Sequence, residues 1–453
     1  MHNVELRIDG TPHRHEGIAA MALFRDQERL CGLDIQYSLL RDLRNTQAVA
    51  LDFVILASAV YALDKSMLRE SETDGWARDF ALTMPISDPE RWMDATPALT
   101  EAVNFLTGDR WEFRFTKRTG SLVFPQRRVR RRPRSALVPI QPSDCACLFS
   151  GGLDSLAGAM DHLAGSASKL LLIGHHDGDM AGPFADQRAL IEPLRSAYPQ
   201  RLRSIFLRVG QSPSGTEITL RSRSLLFIAL GMYGASAVGP TVPLLMPENG
   251  TIALNFPLTP SRRGSCSTRT AHPYYLETVR RALVRLGIAN PLINPLAGKT
   301  KGEVVEQCAN PELLRRLAPL AVSCAKRGRK GHWRRTTARS CGQCMPCIYR
   351  RAAMHKVGAD SEVYGSDVCT GEVAVFGDDD AGRDFRACLS LLRRRPSSTE
   401  LANTLMACGP LDVRSLPQSA SLVVRAMDEV RSLLRDKGTA DVQRAAGMTA
   451  RDA

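Results

Sequence analysis

Apolar residues recur along this chain with two different periods. Val4, Leu6 and Ile8 alternate with polar neighbours up to Asp9-Gly10, which predicts a strand and a turn. Phe80, Leu82 and Met84 alternate again, and Trp111, Phe113 and Phe115 share one face of a further strand. Lys117 to Gly120 predicts a turn into Leu122-Val123-Phe124, and hence a hairpin. Thr96-Pro97 predicts a helix start, with Thr96 as N-cap and Gly108 as the stop. The most apolar stretch, Ala48 to Leu63, carries Asp52 and falls short of the ~20 residues that a bilayer span requires. It predicts a core helix.

From about Gln141 onward the pattern becomes an alternation of short apolar runs with helical periods. Strands are predicted at Cys145 to Phe149, Lys169 to Ile173, Ser204 to Val209 and Val242 to Met246. Helices are predicted at Ser155 to Leu163, Pro183 to Ala197, Arg223 to Ala237, Tyr275 to Leu286 and Thr300 to Cys308. Such alternation means an α/β class with a parallel sheet, whose ligands sit at the carboxyl ends of the strands. After about Val357, Leu- and Ala-rich segments such as Leu389 to Leu392 and Leu422 to Leu434 predict helices, and the last dozen residues predict a disordered end. Three regions follow: 1–140 of mixed α and β character, 141–356 of α/β character, and a mainly helical 357–453.

Charge and cysteine content narrow the class. The formal charge of +13 favours an anionic partner. Much of it is local: no acidic residue lies between Arg114 and Ser143, where Lys117, Arg118, Arg127, Arg128, Arg130, Arg131, Arg132 and Arg134 cluster. This run reads as a solvated connector or as a docking surface for an anion such as nucleic acid, through Arg127 to Arg134. Met1-His2-Asn3-Val4-Glu5 leads into no apolar signal segment, so a cytoplasmic protein with no membrane span is expected. Twelve cysteines without an export signal argue for metal binding or buried small hydrophobes over a disulfide scaffold.

The chemistry concentrates in two strings. Ser150-Gly151-Gly152-Leu153-Asp154-Ser155 stands where a strand ends and a helix begins. Paired glycines let the backbone approach phosphate oxygens, and the helix start presents N–H groups and a favourable dipole. Ser150 and Ser155 add hydroxyl donors, and Asp154 can hold a Mg²⁺ that bridges phosphates. No Gly-Lys-Ser/Thr follows, so this is not a Walker-type loop. A plain Gly-Gly turn is the bland alternative, which the flanking Ser, Asp and Ser argue against. The second string is Cys324, Cys341, Cys344 and Cys347, spaced C-x16-C-x2-C-x2-C, which suits a closed structural Zn²⁺ site. An iron–sulfur cluster uses the same ligands, and His332 is the alternative fourth ligand.

Ser150 to Ser155 resembles the SGGxDS signature of the PP-loop ATP pyrophosphatases, whose fold is of the adenine nucleotide alpha hydrolase-like kind. The resemblance implies ATP split to AMP and pyrophosphate as a substrate oxygen is adenylated. Together with Ser323-Cys324, Cys341-Gly342-Gln343-Cys344-Met345-Pro346-Cys347, the following Arg350 or Arg351, Arg223 at a helix start, Pro295-Leu296 and Thr300-Lys301-Gly302-Glu303, it resembles the 7-cyano-7-deazaguanine synthase (QueC-like) family over about 215 of 453 residues. That family activates a deazaguanine carboxylate for attack by ammonia. The chain departs from the housekeeping pattern. The loop lies far from the N-terminus. Ile173-Gly174-His175-His176-Asp177-Gly178 replaces a Tyr-Gly-Gln-Arg string. Pro247-Glu248-Asn249-Gly250, Asn255-Phe256-Pro257-Leu258 and Ser267-Thr268-Arg269-Thr270-Ala271-His272-Pro273 stand where a Tyr-Pro-Asp-Cys-Arg stretch is absent, and a long C-terminal region is added. The Glu-Asn-Gly and Thr-Arg-Thr-x-His-Pro strings resemble the QueC-like components of the bacterial Qat anti-phage defence system. This implies protein partners from a defence operon, and an amine on a partner protein as the acceptor.

The remaining polar residues are weighed against that frame. Gly174, His175 and His176 end a parallel strand at its ligand-facing side, which suits adenine or ribose contacts or proton transfer; an exposed loop is the alternative. Asp177 and Asp179 assist Mg²⁺ or form a turn. Arg223 holds phosphate or is a surface arginine, and Lys301 meets phosphate or is an ordinary helix-start lysine. Glu248 and Asn249 read a guanine-like edge or form a loop. Arg262, Arg263, Arg269 and His272 grip phosphate or carboxylate, or belong to a charged lid. ATP, Mg²⁺, structural Zn²⁺ and a deazapurine-type carboxylate are thus the expected ligands. A tRNA-modifying enzyme, favoured by the basic run, would bind tRNA in a salt-dependent way. A noncatalytic nucleotide-sensing subunit would bind ATP and release no AMP.

Overall fold

Ten strands hydrogen-bond into one sheet: β1 (His2–Asp9), β2 (Ala20–Arg25), β3 (Glu28–Ile35), β4 (Asp79–Ile86), β5 (Arg110–Lys117), β6 (Cys145–Leu148), β7 (Leu170–His176), β8 (Leu202–Ser212), β9 (Leu244–Leu245) and β10 (Leu292–Ile293). The computed structural model describes residues 1–9, 20–36, 43, 47–119, 143–165, 167–178, 181–259, 269–328, 330–377 and 379–448. The basic residues Arg127 to Arg134, the expected hairpin beyond Gly120, Asp179, Arg262, Arg263, Ser267, Thr268 and the last five residues lie outside the described residues.

Among the described residues the helices are α1 (Ala48–Ser66), α2 (Pro89–Thr107), α3 (Leu153–Gly165), α4 (Ala181–Ala197), α5 (Arg223–Val238), α6 (Gly250–Ala253), α7 (Pro273–Arg285), α8 (Lys301–Glu306), α9 (Pro311–Leu317), α10 (Met345–Lys356), α11 (Arg383–Arg394), α12 (Ser398–Met406), α13 (Leu416–Lys437) and α14 (Ala440–Ala445). The class is α/β, with a helical C-terminal region. The chain packs as two units. The first comprises Met1–Ser150, Ala167–Met246 and Tyr275–Ile293; the second comprises Gly151–Ser166, Pro247–Tyr274 and Asn294–Ala453.

The first unit holds the whole sheet, in the order β10-β9-β6-β7-β8-β3-β2-β1-β4-β5. The strands from β10 to β8 run parallel. The β8–β3, β3–β2 and β2–β1 pairs are antiparallel, and β1–β4 and β4–β5 are parallel again. Strands β6 and β7 are buried almost throughout, as expected where both faces of a parallel sheet are covered. β5 alternates instead, and Trp111, Phe113 and Phe115 stack along one face. Strand β3 pairs Ile35 with Val209 of β8, so N-terminal strands and the central parallel strands form one continuous sheet.

Helix α1 is buried on every side from Ala50 to Lys65, which explains its mostly apolar sequence. It packs against α5 and against β3 and β8. Its buried Asp52 is matched by Arg118 Nη1 at 2.6 Å and by the Ser87 amide at 2.8 Å. Helix α2 corrects one expectation. It starts at Pro89, where the Asp88 side chain accepts from the Arg91 amide; Pro97 lies inside it, and the Thr96 hydroxyl donates to Trp92 O. Asp88-Pro89 carries the same N-cap and first-turn proline signal as Thr96-Pro97, and it comes first. Gly108 ends the helix in the left-handed region at φ 75°, as expected.

The second unit is helical. Leu254, Met345, Ile348, Phe385, Cys388, Leu405, Val430 and Leu434 belong to its core.

Candidate functional site

The second unit gathers three polar side chains around Asp154: Lys301, Asn249 and Glu248. Four residues separate the end of β6 at Leu148 from the start of α3 at Leu153, so the backbone turns sharply there. Gly151 does this at φ 82°, a conformation that a side chain disfavours. A strap of residues 322–323 fastens the turn: Val322 donates its amide to Gly151 O at 3.0 Å, and the Ser323 hydroxyl accepts from the Leu153 amide at 3.1 Å. The Ser155 hydroxyl donates back to Gly152 O at 3.0 Å. Ser150, exposed, ends the first of the three segments that make up the first unit.

Asp154 is buried on the first turn of α3. Its Oδ2 accepts from Lys301 Nζ at 2.7 Å and from Asn249 Nδ2 at 2.9 Å. Lys301 itself is 2% exposed. Burial alone would raise the Asp154 carboxyl; the Lys301 ammonium outweighs it and holds the group below its ordinary range. Glu248 lies beside Asp154. Burial, and then the Asp154 charge, push the Glu248 carboxyl well above its usual range, which favours a proton on Glu248. Asp154 Oδ1 is buried and receives no hydrogen bond from a donor. If Glu248 gives up that proton, the Asp154 and Glu248 oxygens together suit a hard divalent cation.

Local structure sets each partner. Asn249 is the N-cap of α6: its Oδ1 accepts from the Ile252 amide at 3.1 Å while its Nδ2 reaches Asp154, so one side chain does both jobs. Asn294 clamps the Glu248 backbone from both sides, accepting from its amide at 3.2 Å and donating to its carbonyl at 2.9 Å. Lys301 opens α8 behind a capping box of Thr300 and Glu303. The turn Arg269–Ala271 packs against α6. His272 follows it, fully buried, with Nδ1 accepting from the Tyr274 amide at 3.2 Å; burial, and then the Arg269 charge, push its pKa down to about 4.

The other sequence-predicted residues belong to the first unit and form a separate arrangement within it. His175 is fully buried at the end of β7. Its Nε2 bonds Val209 O at 3.0 Å, and its Nδ1 accepts from Arg223 Nε at 3.3 Å. Those two bonds select a neutral ring with the proton on Nε2, and burial pushes its pKa down to about 3. His175 is therefore built to orient Arg223, whose Nη2 also donates to His175 O at 3.2 Å, instead of to exchange protons with a ligand. Half-buried His176 packs on Phe184 at 4.4 Å. Gly174 leaves room for Phe206 and Gln187; the latter donates to Phe149 O at 3.1 Å and to His175 O at 3.3 Å. Asp177 accepts from Tyr61 Oη at 2.6 Å and Lys65 Nζ at 3.2 Å. Burial would raise it; these two partners hold it below its usual range. Gln187, Tyr61, Lys65 and Asn294 stand in no short motif and meet their partners only through long-range packing, so they gave no signal in the sequence.

The four cysteines converge as their spacing predicts. The sulfurs of Cys324, Cys341, Cys344 and Cys347 all lie within 4.8 Å of one another. Cys341 and Cys347 are 3.8 Å apart, against the roughly 3.8 Å edge of a tetrahedron with Zn–S bonds of about 2.3 Å. Gly342 turns the chain at φ 82°, which lets the Gln343 and Cys344 amides donate to Cys341 Sγ at 3.4 and 3.3 Å. These thiols can share one metal ion. His332 sits on an exposed turn and is not among them; Cys324 fills that position. Arg350 and Arg351 are internal ties: Arg350 meets Glu362 at 2.7 Å, and Arg351 meets Asp360 at 3.1 Å as well as Asp367.

Among the described residues, no helix is long and apolar enough to cross a membrane. No family model, no curated protein and no solved structure matches this chain.

Proposed function

We propose that this protein binds ATP at Ser150 to Ser155 and adenylates a carboxylate, releasing pyrophosphate, as the PP-loop ATP pyrophosphatases do. The observation that carries this reading is the convergence of Lys301, Asn249 and Glu248 on Asp154 at the start of the helix that follows the Gly-Gly turn. A plain structural turn has no need of a buried carboxylate with a buried lysine on it. In the reaction a carboxylate oxygen attacks the α-phosphorus, the bond from that phosphorus to the pyrophosphate oxygen breaks, and pyrophosphate leaves. An amine nitrogen then attacks the acyl carbon, and AMP departs with the original carboxylate oxygen.

The roles follow from charge. The turn and the first turn of α3 offer backbone N–H groups to phosphate oxygens. Lys301 adds a cation that exchanges Asp154 for phosphate when nucleotide arrives. Asp154 and Glu248 would hold Mg²⁺, which neutralises phosphate charge when bound. Within the first unit, Arg223, oriented by His175, presents a guanidinium that suits an anion. Cys324, Cys341, Cys344 and Cys347 would hold a structural Zn²⁺, and Cys324 follows directly on Ser323, which ties the turn.

The finer reading is that of a QueC-like enzyme of the kind found in Qat anti-phage defence. Its substrate is a 7-deazaguanine-type acid, bound near Glu248, Asn249, Arg269 and His272, and its acceptor is an amine on a partner protein in the cytoplasm. Chromatographic identification of products from ATP, Mg²⁺ and 7-carboxy-7-deazaguanine tests the reaction. AMP with pyrophosphate supports it; ADP with phosphate contradicts it.

A further inference from the structure

Helix α13, from the C-terminal region, touches both chain segments that deliver side chains to Asp154. Glu429, on its inner face, reaches the start of α8. It accepts from the Thr300 hydroxyl at 2.5 Å and from the Gly302 amide at 3.0 Å. These two residues flank Lys301. A Cβ on Gly302 would run into the Glu429 carboxylate, so the glycine is what admits it. Lys356 of α10 adds a weaker contact to Glu429 at 3.5 Å. One turn earlier, Arg425 pairs with Glu303 at 2.6 Å and donates to Gly298 O at 3.1 Å. One turn earlier again, Leu422 Cδ1 lies only 2.6 Å from where a Cβ on Gly250 would sit, beside the Asn249 cap.

The cost of this arrangement argues that it has a purpose. Glu429 has a side chain only 10% exposed, and burial pushes its carboxyl up. Thr300 and Glu303 already complete a capping box, so the helix does not need Glu429 to be capped. What Glu429 adds is a tie to both neighbours of Lys301, to the Thr300 side chain and to the Gly302 backbone. A lysine has four rotatable bonds, and holding its ammonium at 2.7 Å from one carboxylate oxygen requires a rigid base.

We infer that Glu429 is a positioning residue that fixes Lys301 against the Asp154 site, so that α13 of the C-terminal region is a working part of nucleotide binding. The functional part of this rests on the nucleotide reading of that site. The test measures MgATP affinity by equilibrium titration, together with melting temperature. It uses the full-length protein and the Glu429→Gln, Glu429→Ala, Lys301→Ala, Asp154→Asn and doubly substituted Glu429→Ala/Lys301→Ala variants. Lys301→Ala and Glu429→Ala are each expected to weaken MgATP about tenfold, and the double variant to be no weaker than Lys301→Ala alone. Glu429→Gln, which keeps one acceptor, is expected to stay within about threefold of the wild type. Full additivity in the double variant, or a Glu429→Ala protein that melts lower yet binds MgATP normally, would overturn the positioning role while leaving the nucleotide site standing. Unchanged affinity in both Lys301→Ala and Asp154→Asn would instead remove the nucleotide reading, and the role of Glu429 with it.

Discussion

Lys301 Nζ lies 2.7 Å from Asp154 Oδ2 across 147 positions of sequence, and both side chains are almost fully buried. Burying such a pair is costly unless each charge is matched, and breaking it from one side leaves the other uncompensated. Lys301→Met is therefore expected to destabilise the protein by about 3 kcal/mol in chemical denaturation at neutral pH. The loss should shrink in acid, where Asp154 takes up a proton. An unchanged denaturation midpoint would contradict the pairing.

A cluster of four buried charges lies wholly within the first unit. Arg78 Nη2 meets Asp64 at 2.5 Å and Asp109 at 2.7 Å, and Arg69 meets Asp109 at 2.7 Å and Asp64 at 3.1 Å. Ser222 and Thr219 hydroxyls complete Asp64. Asp109→Ala is expected to cost about 3 to 5 kcal/mol, because two buried guanidinium groups lose a partner together. Thermal unfolding checks this, and a loss below about 1 kcal/mol would show the cluster to be solvated.

Acid lability has a definite sign here. His175 and His272 have folded pKa values pushed down to about 3 and about 4, against an ordinary 6.5. The unfolded chain then binds more protons, so stability falls as pH drops from 6.5 towards those values. The slope approaches about 1.4 kcal/mol per pH unit for each group. Glu248 acts the other way: its raised pKa makes stability fall as pH rises above its ordinary 4.5. Glu248→Gln should remove that component and stabilise the protein at neutral pH. Denaturation at several pH values reads both effects, and a Glu248→Gln protein less stable at neutral pH would contradict this.

The cysteine cluster predicts one zinc per chain and a colourless protein. Chelation or Cys347→Ser should lower the melting temperature and weaken MgATP binding, because Cys324 directly follows the Ser323 that ties the Gly-Gly turn. Elemental analysis and a visible spectrum decide the metal: a brown protein with bound iron and sulfide would replace zinc by a cluster.

How much of this was legible in the sequence depends on distance along the chain. The Gly-Gly turn with its Asp and Ser, the cysteine spacing and the stacked face of Trp111, Phe113 and Phe115 are local patterns, written within a few residues each. The β2–β3 hairpin is not, because its turn uses Asp26 and Gln27 at positive φ where glycine or asparagine would announce it. The pairing of β3 with β8 joins Ile35 to Val209, and no periodicity reports a partner so remote. His175 illustrates the same limit in the site. Its place at a strand end is legible, but its burial and its bond to Arg223 depend on α5, which only the packed structure shows. Glu429 is an unremarkable acidic residue in a helical pattern until α13 is laid against α8.

The most direct test of the adenylation chemistry follows an oxygen atom. 7-Carboxy-7-deazaguanine labelled with heavy oxygen in its carboxylate, incubated with the protein, MgATP and an amine acceptor, is expected to deliver one labelled oxygen to the phosphate of the AMP formed, as read by mass spectrometry. Asp154→Ala should abolish that AMP. AMP without label, or ADP as the product, would contradict the account.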